Sequence, residues 1–593
     1  CSSDLAPNDA RVSVSAGNTL THEAGHTIRG AGDFIGEVIN RGDIVSDLAG
    51  ELLRISGASA FTNEGLMRAE SGGDLQFSLR PVDNGLGAIE VADGSELIVS
   101  GSSITGGTID GFGTGFVTVT SSTLDGVDMD AKVEVPGAFG VTVGPGGLVN
   151  DGRLFINSNE SASSAFLRVE AGPGVTGVGE ILLGGTVFFN DAIITGQPAG
   201  TSYTIGAGTA VRGAGQIDGP FVINGTVSAD LANETLVVNG GDPSVNNGGF
   251  GVEDGATLRV QNATLVNNGG IVLADGGEVE IASSRVEGGL IAGPIGGSIV
   301  QMSAATLAGV ELAADAQVDV ASTVTIGGAP GRASDLHLTG RLVVNPARSA
   351  STSTLRTEDL DLMISGGGEI VLNGLVPGDA LFLGPAGAST RLSVPDATIS
   401  GIAGQLREEM DLGGALEPGT DSAAGEIEIA FADVVIQPTA SVGFDLFGGA
   451  ASQFDRLDLV SSTDSLTLGG AFDARALGGF DPAVGASFEV IEPGGQLSGC
   501  FANDIASSTT PSGNTFRIAV NEDNAVVFVI APVCDLPGDT DRDGLVGLND
   551  LLAVLGGFGS ADACRNRGDL DDDRLVGLDD LLTVLGEFGQ SCP

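Results

Sequence analysis

A 21-residue period constrains this chain more than any other feature. Leu258 and Val260, Val279 and Ile281, and Val300 and Met302 are apolar-x-apolar pairs at successive steps of 21. Leu265, Val286 and Leu307 keep the same step inside "NATLVNNGG", "SSRVEGG" and "AATLAGV". Related fragments recur outside this window. "RGAGDFIGEVINRG" at 29–42 is echoed by "RGAGQIDGPFVING" at 212–225, "SSITGG" at 102–107 by "SSTLDG" at 121–126, and "DATISG" at 396–401 joins the set. Gly, Asn, Asp and Ser separate the apolar pairs, so each period holds two or three very short alternating stretches joined by turns. A helical repeat needs longer runs with a 3.6-residue rhythm, and those are missing.

A coil of about 20 residues predicts a mainly β chain built as a right-handed parallel β-helix, a solenoid in which each coil stacks its strands on the last. At roughly 4.8 Å per coil, about 20 coils make a rod on the order of 100 Å long. Each coil encloses a small apolar interior, so stability comes from neighbours. Recurrent Asn residues followed closely by Gly (Asn40, Asn150, Asn224, Asn267) suit corners. Asn tolerates the left-handed conformation there, and stacked Asn side chains bond along the solenoid. The body, residues 1–435, resembles the passenger-like β-helices of large bacterial extracellular proteins, autotransporters and adhesins.

Composition bears on partners. With 25 Lys and Arg against 77 Asp and Glu, the formal charge is −52. Nucleic acid and anionic membranes both call for clustered cations, so the charge argues against both. The acidic surface attracts divalent cations instead. No apolar run approaches the roughly 20 residues of a membrane helix. The chain opens on Cys1 with neither an initiator Met nor a signal-peptide pattern. Two readings of "CSS" stay open: a lipid-anchored cysteine of a bacterial lipoprotein, or a fragment boundary.

From about 436 the rhythm changes to longer strands with more Phe. Phe454, Asp455 and Leu457, then "LGG", then the run from Gly479 to Phe488 resemble the segment that ends many bacterial extracellular β-repeat proteins. The resemblance implies a β-rich cap over 436–533 without chemistry of its own.

The last stretch, 534–593, carries two acidic twelve-residue loops. A loop of the EF-hand type presents oxygen ligands at positions 1, 3, 5, 7, 9 and 12, with Gly at 6 for a sharp turn. In "DTDRDGLVGLND" these fall on Asp539, Asp541, Asp543, the Leu545 carbonyl, Gly547 (through water) and Asp550. Thirty residues later "DLDDDRLVGLDD" supplies Asp569, Asp571, Asp573, the Leu575 carbonyl, Gly577 and Asp580. Each loop runs into a helix pattern, Leu548, Leu551, Leu552, Leu555 and Phe558 in the first and Leu578, Leu581, Leu582, Leu585 and Phe588 in the second. Chance acidity does not keep ligand spacing and helix face twice, so two Ca2+ sites are expected. Arg574 replaces the position-6 Gly, which costs about 1 kcal/mol at a positive φ, so the second site is expected to be weaker. Two loop–helix halves without a leading helix resemble a type I dockerin. That family folds on calcium and docks onto cohesin modules, which implies a cohesin-like or cell-surface partner. The departure is at the recognition positions: Ser-Thr pairs are usual in the family, whereas this chain has Leu548-Asn549 and Leu578-Asp579.

Four of five cysteines, Cys500, Cys534, Cys564 and Cys592, flank the loops and read as disulfides of an exported protein. Neighbour pairing and a Cys534–Cys592 clasp both remain open. "HEAGH" at 22–26 matches a zinc-protease pattern, but that pattern works on a helix, and the surrounding residues suit a strand and turn. "GAGDFIG" at 30–36 has the wrong spacing for a nucleotide loop and recurs at 213–219. The expectation is a non-catalytic extracellular or cell-surface, adhesin-like β-helix with a calcium-dependent docking module. The alternative is a dockerin-bearing polysaccharide lyase or glycoside hydrolase, for which a chain without Trp and with one Tyr and one Lys offers poor material.

Overall fold

The computed structural model describes residues 10–241, 243–328, 336–358, 362–384, 391–407, 409–520, 524–530, 536–540, 545–559, 568, 570 and 575–591. They form two compact units, 1–301 and 302–593.

In the first unit most short strands pair in parallel with the strand three further along the chain, so one coil carries three strands; the step is two around the long strand Ala210–Asp218, which serves two rows. Leu52–Ser56 lies beside Asp74–Ser78, which lies beside Glu96–Ser100, and the row continues through Phe116–Thr120, Lys132–Val135, Arg153–Ile156 and Glu180–Gly184. Register carries one apolar side chain onto the next: Leu53, Leu75, Leu97, Val117, Val133, Leu154, Ile181 and Val211 form an unbroken buried stack. The sequence period is this register. Leu258 faces Val279, Leu265 faces Val286, and Ile104 of "SSITGG" faces Leu124 of "SSTLDG". The fold is a parallel β-helix solenoid. A register slip of one residue would turn every buried side chain outward, which is why the alternation is so strict.

The corner asparagines behave partly as expected. Asn40, Asn150 and Asn267 are fully buried, and amide ladders do run from coil to coil, from Asn40 through Asn63 to Asn84 and from Asn246 to Asn267. The left-handed backbone, however, belongs to other residues. Asn157, Asn233, Asn262 and Asn345 have positive φ, whereas Asn40, Asn150, Asn224 and Asn267 do not. These last are used for their side chains. The glycines of the two "RGAG" echoes are set by close approach: a Cβ on Gly32 would lie 2.2 Å from the Ala10 carbonyl oxygen, and one on Gly215 2.6 Å from that of Ala192. Arginines sit opposite acids on registered strands, as in Arg54–Asp33, Arg153–Glu180 and Arg259–Glu280.

The second unit begins as the same solenoid, with Asp315–Val318, Arg341–Val344, Glu369–Asn373 and Thr398–Arg407 in parallel succession. Coiling continues past residue 436, where Ser441–Leu446 pairs with Ala471–Ala476 and Arg456–Leu459 with Ser487–Pro493. Ser487–Pro493 is the switch strand. It has a parallel neighbour on one side and the antiparallel Ala525–Ile530 on the other, which in turn pairs antiparallel with Thr515–Val520. An antiparallel unit thereby covers an edge that would otherwise accept further strands. Phe454 of the first motif fragment meets Phe488 of the last edge to face at 5.5 Å, and Phe480 meets Phe488 at 6.0 Å. Among the described residues the α-helices are α1, Leu548–Gly557, and α2, Leu578–Glu587, and no helix is long and apolar enough to cross a membrane.

Candidate metal centre

The two loop–helix repeats share one small core. Val546, Val554, Val576 and Val584 are completely buried, with Leu536, Leu551, Leu570 and Leu581 packed around them. The assembly is reciprocal. Gly538, just before the first loop, lies so close to α2 that a Cβ there would be 3.1 Å from the Val584 Cα, while a Cβ on Gly568 would be 2.8 Å from the Val554 Cα of α1. The N–H of Gly589 donates to the Val546 carbonyl at 2.7 Å, and that of Gly559 to the Val576 carbonyl at 2.8 Å. The position-8 valines thus both enter the core, and their carbonyls bond to the stretch after the opposite helix. One tie is unmatched: Glu587 Oε2 accepts the Gly538 N–H at 2.6 Å, and its counterpart in the first repeat is Gly557.

Position 12 of each loop is the first-turn acid of its helix. Asp550 Oδ1 accepts the Thr540 N–H at 2.6 Å and the Thr540 hydroxyl at 3.0 Å, and Oδ2 accepts the Gly547 N–H at 2.7 Å. Asp580 repeats this, with Oδ1 on the Leu570 N–H and Oδ2 on the Gly577 N–H at 2.7 Å. Each carboxylate therefore joins loop positions 2 and 9 to the helix N-terminus, where its charge also suits the helix dipole. Asp539 is buried with them. Leu545 and Leu575 stand at position 7, and Gly547 and Gly577 cap the helices in extended backbone with no side chain in the way. Asp541, Asp543, Asp569, Asp571, Asp573 and Arg574 lie outside the described residues, as do Cys1, Cys534, Cys564 and Cys592. Cys500 is disulfide-bonded.

The available donors fit a hard cation. Among the described residues they are carboxylate and carbonyl oxygens, and buried carboxylates are costly without a compensating charge. Asp539, Leu545, Gly547, Asp550, Leu575, Gly577 and Asp580 are the described residues that would hold calcium.

The leucine stripe does not turn inward as one face. Leu551, Val554, Leu581 and Val584 form the core side, whereas Leu548 (63% exposed), Leu552, Leu555 and Phe558 on α1, and Leu578 (61%), Leu582, Leu585 and Phe588 on α2, stand in solvent. Val546, apolar at position 8 as the pairing of two such loops requires, is joined in the core by Val554, Val576 and Val584. The 30-residue spacing that relates the loops also relates Val546 to Val576 and Val554 to Val584.

A second acidic feature lies in the solenoid of the same unit. A cavity of about 540 Å³ is lined by Glu428, Asp458, Glu489 and Glu492. Burial, reinforced by a hydrogen bond with Glu426, raises the Asp458 carboxyl to about 7 against the pull of Arg456. "HEAGH" is strand and turn: His22 ends Thr19–His22, and Thr27–Arg29 follows. His337 Nδ1 pairs with the Ser365 hydroxyl at 2.9 Å. No protein-family model matches the chain, and no curated protein matches it.

Proposed function

We propose that this is a non-catalytic extracellular or cell-surface protein whose β-helix body is displayed through a calcium-organised docking module at 534–593. The observation that carries the reading is the duplicated carboxylate, Asp550 and Asp580, each fastening its loop to its helix in the same way. Calcium at such a site orients the helix directly, because position 12 is both ligand and first-turn residue. The resemblance to type I dockerins implies a cohesin-like or cell-surface partner. The outward leucine and phenylalanine faces support docking, since contiguous exposed apolar patches mark interaction sites. The disulfide at Cys500 supports an oxidising, exported location.

Calorimetric titration of the full chain with calcium is the test. Two events are expected, the weaker from 569–580, and Asp550→Asn and Asp580→Asn should each remove one. Heat that persists unchanged in both variants means the loops are not the sites.

The carboxylate cavity favours a second reading, hydrolysis or lysis of a polysaccharide by the body. A carboxyl raised by burial to about 7 in a cleft lined by further carboxyls is the arrangement a general acid needs. Release of reducing ends or unsaturated products from an acidic or neutral glycan, abolished by Asp458→Asn, would establish that reading over the first.

A further inference from the structure

Independently of the calcium loops, the buried amide ladder of the first unit ends on an imidazole, and its polarity fixes which nitrogen of that ring is free. Asn84 Nδ2 donates to the carbonyls of Gly106 and Thr108, at 3.4 and 3.2 Å. Its Oδ1 accepts from Asn63 Nδ2 at 2.7 Å, and Asn63 Oδ1 accepts from Asn40 Nδ2 at 2.7 Å. Asn40 Oδ1 is left facing His22 Nδ1, also at 2.7 Å. Reversing the amides would aim carbonyl at carbonyl, because Asn40 and Asn63 also donate to Leu66 and Ala88. His22 Nδ1 therefore carries the hydrogen, and a neutral ring of that tautomer has a bare lone pair on Nε2.

That Nε2 is buried and makes no hydrogen bond, in a residue only 7% exposed. A buried acceptor left unfilled is unfavourable and calls for a physical account. The tight turn after it supplies a second imidazole. His26 N–H closes the turn onto the Glu23 carbonyl at 3.4 Å, with Gly25 at a φ of 81°. The His26 ring then lies over His22, with centroids 6.5 Å apart and planes inclined by 27°.

The geometry points to a two-histidine site for a borderline divalent transition ion, zinc or copper, at the His22–His26 turn. Imidazole nitrogen suits these ions and not calcium. Asn40 Oδ1 on the Nδ1–H is the outer partner that a metal-bound imidazole ordinarily has, since it fixes ring orientation and raises the basicity of the other nitrogen. Water completes the coordination, and the Glu23 carboxylate of the same turn lies instead 3.7 Å from Arg41. The site is a clasp on the first described coil. The Glu lies on a turn and has no helix to aim it as a base, so protease chemistry is not implied.

The chain has three histidines, so 15N-histidine labelling of the full protein resolves every ring. Before metal, His22 should read as the Nδ1–H tautomer. Zn2+ added alone, in excess calcium to occupy carboxylates, should move His22 Nε2 and one His26 nitrogen together and leave His337 in place. His22→Asn keeps the ladder, because its amide donates to Asn40 as the ring does, and equal melting temperatures will verify this. That variant and His26→Asn should each weaken zinc binding about tenfold or more, a loss at least as large as partners one layer out produce. A protonated Nε2 before metal, a His22 ring unmoved by zinc, or wild-type affinity in either variant would overturn the site.

Discussion

Asp455 is the residue on which the closing part of the second unit is pinned. Its two oxygens accept the N–H groups of Gly425 and Asp445, each at 2.8 Å, so one side chain ties a neighbouring coil to its own. Burial raises this carboxyl to about 8, although both N–H donors pull it down. The consequence for stability has a definite sign. A group that holds its proton more tightly when folded stabilises the fold at low pH, and that contribution falls as pH rises from about 4, the unfolded value, through the folded one. Burial also raises Asp458 to about 7 and raises Glu417, Glu428 and Asp445, all in the same direction. The 302–593 unit is expected to melt higher at about pH 5 than at about pH 8. Asp455→Asn should flatten that slope and cost about 1–3 kcal/mol, since an amide offers one acceptor oxygen where two are used. A unit that melts lower on mild acidification would contradict this account of Asp455.

At the scale of elements, the coil is the unit of exchange. Thr257 is registered with Glu278, Leu258 with Val279 and Val260 with Ile281, so removing 257–277 places each successor where its predecessor stood. That excision is expected to leave the circular-dichroism spectrum and cooperative melting of the chain in place, whereas removing 257–266 should not, because it breaks register. The helices make a different prediction. Val554→Ala should cost about 2 kcal/mol by opening a cavity in the four-valine core, and Leu552→Ser should stay within about 0.5 kcal/mol, because Leu552 stands in solvent. Both are read by denaturant melts of α1 and α2 signals. These elements also mark what was legible in the sequence. The coil was, because a repeat must show its register as a period. The two helices and the acid that opens each were, because the loop–helix pattern repeats after 30 residues. Which side of α1 faces the core was not, since the helix is apolar around more than half its girth and periodicity cannot choose between Leu552 and Val554. Nor was Arg80, which reads as one more surface cation yet is buried with its guanidinium on the carbonyls of Ser56, Gly36 and Ala60. Corner asparagines were legible as corners, but whether each serves through its backbone or its amide depends on neighbours in the next coil.

For the whole molecule, charge and calcium belong together. A chain at −52 repels itself, and its sparse arginines are placed largely on registered acids, where exposed pairs each contribute at most about 1 kcal/mol. The solenoid coheres through stacked apolar side chains. The 534–593 module encloses a core of four valines, and buries Asp539, Asp550 and Asp580 beside it. Its folded state is therefore expected to depend on calcium while the body's does not. Hydrogen exchange of the full chain in calcium and in chelator measures this directly. Strong protection of α1 and α2 only with calcium, beside unchanged protection of the coils, is the predicted result. Equal protection of both helices in chelator, or coils that open with them, would contradict the claim that a calcium-organised module ends an independently stable β-helix.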